Sequence, residues 1–176
     1  MFPSTVAMDI AAGNVGELAF EGPLNAQPAI LNSADAANNV VGRAFTHLAA
    51  EGQVTAGGAG VFAGILANPK AYASRGTVAG GTLAPTLTLA NGETGEFVQM
   101  TPGIFVTLPA AAANIGDQVI YATATGILAT QVPGTAPGAG NAIVPGATVV
   151  RYEKSGVAGL AVIALNGPAL GTAVPV

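Results

Sequence analysis

Few residues in this 176-residue chain have side chains suited to chemistry, and their spacing suits none in particular. The chain has one histidine, His47, and no cysteine. His47 lies in the run FTHL beside Phe45 and Leu48, the pattern of a half-buried strand. Without a cysteine or aspartate partner nearby it makes no metal site, and without a nucleophile it is no general base. The nearest carboxylate pair, Glu93 and Glu96, flanks Thr94-Gly95 beside a turn signal, where solvated glutamates are ordinary. Acid–base work would instead need them held several ångströms apart around a cleft. Asp117, directly after Gly116, reads as a turn-stabilising residue. Asp9, Glu17 and Glu21 lack the regular oxygen-ligand spacing of a calcium loop. The phrase GGAGVFAG (57–64) approximates a phosphate cradle, but it leads into a β-like run and no Lys-Ser/Thr follows. No G-x-S-x-G elbow occurs. The expectation is no catalytic residue, no cofactor-binding residue, no metal ligand and no enzyme.

The elements around these residues explain the poverty. Charged residues are 8% of the chain, where an ordinary soluble domain has about 25%. Hydrophobic content is 51%, much of it alanine, and 25 Gly and 12 Pro deny the chain long helices. Such a surface is easily desolvated when another protein covers it, because few ions must be stripped of water. The five cations are scattered, so no basic stripe for nucleic acid can be drawn. Residues 118–150 carry no charge, but Pro133, Pro137 and Pro145 interrupt them, and no membrane-spanning run survives. The opening MFPSTVAMDIAAG, with no Lys or Arg before Arg43, does not fit a secretion signal.

The pattern predicts an all-β domain of short antiparallel strands with long Gly/Pro loops, a compact barrel, tulip-like fold or jelly-roll sandwich. Residues 1–40 are weakly patterned, with short strands at 8–10 and 17–20 and one helical turn capped by Ser33. They read as an irregular N-terminal segment, either an arm or a loop-rich edge of the same domain. Residues 41–167 form the β domain. Strands are expected in VGRAFTHLA, around QVTA, in VFAGILA and in TLAPTLTLA, followed by a hairpin turn at Asn91-Gly92. GEFVQM and GIFVTL read as two strands reversed at Thr101-Pro102-Gly103. An Ala-rich turn spans 109–114. DQVIYATA and ILATQV pair across Thr125-Gly126, and residues 133–146 form a long uncharged loop. ATVVRYE and VAGLAVIALNG make a closing hairpin, and residues 168–176 an extended tail.

The run GETGEFVQMTPGIFVTLPAAAANIGDQVIYATATGILAT resembles bacteriophage capsid cement, or head-decoration, proteins. The phrases that carry it are Gly103-Ile104-Phe105 to Leu108-Pro109 and Gly116-Asp117 to Tyr121. VGRAFTHLAAEG to VFAGILA and the closing VAGLAVIALNG are also similar to that family, so the resemblance covers roughly Val40 to Gly167. It implies a structural protein on the outer surface of the virion, made in the host cytoplasm, that bridges neighbouring major capsid protein subunits. It also implies a homo-oligomer, a dimer or trimer, with the homotrimer favoured over the homodimer; composition adds no nucleic-acid and no membrane partner. The uncharged loop 133–146 and the segment 1–40 are the candidates for capsid or sister-subunit contact. The alternative is a phage tail or host-surface adhesion module with a glycan-binding β-sandwich, which would want exposed aromatic residues.

Overall fold

The computed structural model describes residues 13–68, 87–108, 113–152 and 159–166. Nine strands follow in chain order: β1 (Asn25–Leu31), β2 (Ala44–His47), β3 (Gln53–Ala56), β4 (Phe62–Leu66), β5 (Thr94–Leu108), β6 (Gln118–Ala122), β7 (Leu128–Gln131), β8 (Asn141–Tyr152) and β9 (Gly159–Asn166). They form one sheet in the order β1-β3-β2-β4-β5-β9-β8-β6-β7, with a further pairing of β1 to β5. That pairing closes the first five strands into a ring. The second half of β5 continues into β9, β8, β6 and β7 as a curved wing. The chain is all-β, as its composition predicts.

The alternating side chains of paired strands explain why the two parts form one body. On β2, β4 and β5, neighbouring residues point to opposite faces. Phe45, Leu66 and Phe97 enter the core inside the ring, while Ala44, Ile65 and Val98 enter the core between ring and wing. Phe45 and Phe97 meet inside the ring with centroids 5.1 Å apart, a tilted aromatic pair. Strands buried on both faces read as near-continuous apolar runs, which is what VFAGILA shows. The joint is sealed by backbone bonds: Gly58 N donates to Thr123 O (2.7 Å) and Ala44 N to Gly126 O (3.0 Å). Gly57 (φ +68°) is required there, since a Cβ would lie 2.5 Å from Thr123 O.

Several elements differ from the sequence pattern, each for a physical reason. Residues 25–31, within the segment expected to be irregular, form β1, with Leu31 fully buried. Gln27-Pro28 signals a break, yet β3 pairs only with Ile30 and Leu31. Pro28 therefore has β5 alone beside it, a setting where a missing N–H is tolerated. Thr101-Pro102-Gly103 does not reverse the chain. β5 runs through it as one fifteen-residue strand, with Pro102 and Gly103 facing the single Ala164 of β9, which is a bulge. The loop expected over 133–146 ends at Gly140, and NAIVPG begins β8, which breaks its pairing with β6 between Ile143 and Thr148. The helical turn is Ala36–Asn38, capped by Asp35, whose side chain accepts from Ala37 N. Ser33 instead donates to Asn39 Oδ1 and accepts from Ala56 N, tying the turn to β3. The turns at Asn91-Gly92 and Thr125-Gly126 stand where expected. Of TLAPTLTLA, residues 82–86 lie outside the described residues. Its remainder makes one bridge, Val40 to Thr88. The strand at 8–10, most of the Ala-rich turn and the 168–176 tail also lie outside them.

Two outcomes follow from this architecture. Deleting residues 1–35 removes β1 and with it the closure of the ring, so the cooperative thermal transition should be lost. Retention of that transition would show that the ring stands without β1. Burial raises the Tyr121 phenol above its ordinary value of 10. The neutral form is favoured by the folded state, so this contribution is complete below about pH 10 and is lost as pH rises through the raised folded value. Denaturant titrations from pH 8 to 11 should therefore show Tyr121→Phe losing less stability than the parent chain. Parallel losses would contradict it.

Candidate functional site

His47 ends β2 exposed, while Phe45 is buried. Glu96 is exposed on β5, and Glu93 stands between the Asn91-Gly92 turn and the start of that strand at Thr94. Asp117 is buried and accepts from Asn114 N (2.8 Å), closing the turn before β6. Among the described residues, no group of three His, Asp or Glu side chains could hold a metal ion. The fully buried Asn39 donates to Asn91 Oδ1 (2.8 Å), and Asn91 donates to Ser33 O (2.8 Å). This network pins the 33–39 segment to the β5 turn. Arg43 donates to Asn38 Oδ1 (2.7 Å) and Thr125 O (3.2 Å), and burial lowers its pKa. The polar side chains of Asn39, Arg43, Asn91 and Asp117 thus bond to one another's segments and to nearby backbone.

What the structure presents instead is an apolar surface. The segment just before β1 crosses the β5 bulge as a strand-like strap. Gly16 N donates to Phe105 O (2.7 Å), Phe105 N to Glu17 O (2.9 Å) and Ala19 N to Gly103 O (2.8 Å), with Leu18 opposite Ile104. This backbone ladder makes the strap a firm platform. Its side chains are the unusual part: Leu18, Phe20 and Leu24 are 46%, 47% and 47% exposed. Two grooves of about 380 and 410 Å³ lie beside them and share Leu18 and Leu24. Phe20 lies across Gly103, where a Cβ would come 2.5 Å from its ring. A second exposed apolar stretch flanks β7, with Ile127 at 47% and Val132 at 69%. It runs into the uncharged loop 133–140, most of which is exposed.

Sequence reasoning proposed the 1–40 segment and the 133–146 loop as contact regions, and exposed apolar residues lie in or beside both. It did not name Leu18, Phe20 or Leu24. The alternation E-L-A-F-E at 17–21 suggests a half-buried strand, but only the fold decides which face stays open. Of the aromatic side chains described, Phe20 is the exposed one.

Gly103→Ala should force the Phe20 ring off β5. The expected cost is about 1–3 kcal/mol of stability, as for other overpacked sites. Urea unfolding measures it, and an unchanged midpoint would contradict the close contact.

Residues 2–166 match the family model described as structural cement protein (E217 gp24/Pam3 gp6). The match takes in residues 2–39, to which the motif resemblance did not reach. Among solved structures, a chain in the capsid of Myoviridae phage XM1 is similar, with a TM-score of 0.61 at 17% identity. The likeness covers 94% of this chain and 97% of that one, and it speaks for a shared fold. No curated protein sequence matches. The fold is also found in a phage capsid, in agreement with the family match over residues 2–166: the chain belongs to the structural cement proteins of phage capsids.

Proposed function

We propose that this protein binds the outer surface of the phage head and bridges neighbouring major capsid protein subunits, holding the shell against the pressure of packaged DNA. The observation that carries this reading is the exposed apolar strap at Leu18, Phe20 and Leu24, held rigidly on β5. Contiguous exposed apolar residues rimmed by polar ones mark protein contact sites. The strap and the 132–140 loop are the contact elements, and membership of a structural family supports a non-enzymatic role. The protein acts as a homotrimer in preference to a homodimer. Among the described residues β7 pairs only with β6, and a sister subunit covering that edge would protect it. Many copies of a modest interface then act by avidity, since splitting the shell requires several to release together.

Purified protein mixed with expanded heads that lack it should co-sediment with them. Because the contact is mainly apolar, raising salt to about 1 M, where the Debye length is about 3 Å, should leave most of it bound. Failure to co-sediment would remove the reading, and release at moderate salt would show that charge dominates the contact.

A further inference from the structure

The charges around the strap specify the partner, and the inference rests on the capsid-binding reading above. Glu21 lines one groove, and Glu17 and Glu96 line the other. Among the described residues, no Lys or Arg lines either groove. Three of the chain's nine acidic residues thus ring three of its exposed large apolar side chains. We propose that this patch docks a part of the shell protein that places an apolar side chain among Leu18, Phe20 and Leu24 and carries Lys or Arg beside it.

Covering the patch with an apolar or acidic rim would strip water from the carboxylates without replacing its stabilisation. A cationic rim compensates them, steers the encounter and fixes the register, while the apolar centre supplies most of the affinity. A second copy of this chain meeting the patch with its own patch is the wrong occupant. A two-fold contact joins the same patch on both subunits and would set Glu17, Glu21 and Glu96 against their own copies. The chain's own residues 1–12 contain Asp9 and neither Lys nor Arg, so they offer no complementary side-chain charge. The strap is already ordered by its hydrogen bonds to β5, so little conformational entropy is lost on docking.

The test compares co-sedimentation with expanded heads lacking this protein, for the parent chain and three variants. Each variant is first checked for a parent-like thermal transition. Glu17→Lys/Glu21→Lys/Glu96→Lys should bind at least about tenfold more weakly at about 50 mM salt and recover toward the parent at about 1 M, where charge repulsion is screened. Phe20→Ser/Leu24→Ser should bind at least about tenfold more weakly at both salt concentrations. Leu24→Ser alone, at an exposed side chain, should weaken binding in the same direction and serves if the double variant does not fold. Parent-like binding by the charge-reversed and apolar variants, with the parent bound, would overturn this inference and leave the capsid-binding reading standing. Tighter binding of the charge-reversed variant at low salt would also overturn it, by showing an acidic partner. So would loss of self-association in Phe20→Ser/Leu24→Ser with head binding unchanged, which makes a second copy the occupant. A parent chain that does not bind heads overturns both.

Discussion

Strands β2, β4 and β5 form a wall buried on both faces, and the rest of the molecule is positioned by it. Each neighbouring pair on that wall, Ala44 with Phe45, Ile65 with Leu66, Phe97 with Val98, sends one side chain into the ring and the next into the space under the wing. Neither core is then independent of the other, because shifting the register of one strand by a single residue would exchange their contents. β5 extends the constraint furthest: its first half closes the ring against β1 and β4, and its second half founds the wing through β9. The bulge at Thr101–Ile104 lies between these duties and is where the strap crosses.

The surface follows from the wall. A chain with few charges has committed its large apolar residues to two cores, leaving Ala, Gly, Thr and Pro to cover the outside. Against that background the exposed large apolar side chains stand out, and Leu18, Phe20 and Leu24 are three of them gathered on one strap. The strap is fixed to β5 through its backbone, which frees these side chains from any duty in holding it. Rigid backbone with open apolar side chains is the arrangement a contact surface needs, since little order remains to be gained on binding.

Much of this was legible in the sequence where the signal was local. Asn91-Gly92 and Thr125-Gly126 make turns because Gly92 (φ +86°) and Gly126 (φ +72°) take up the left-handed backbone that such turns need. Gly103-Ile104-Phe105 carried the family resemblance for a related reason, since the bulge and the strap over it both need this local pattern. Local signals failed where a distant strand decides. Pro102-Gly103 suits a reversal and a bulge equally, and β9 alone selects the bulge. Ser33 and Asp35 are equally good caps, but Ala56 claims the Ser33 hydroxyl. Pro28 looks like a break until β5 is seen to pair with it. The site was legible only as a region, because nothing in E-L-A-F-E says which of its faces will remain uncovered.

The central claim is that the protein grips the shell across a subunit boundary through the strap. An image of the intact particle, at a resolution that traces this chain and its neighbours, tests it most directly. The account predicts density for the protein outside the shell, straddling two or more major capsid subunits, with residues 18–24 against them. Density inside the shell, or on a single subunit with residues 18–24 facing solvent, would contradict it.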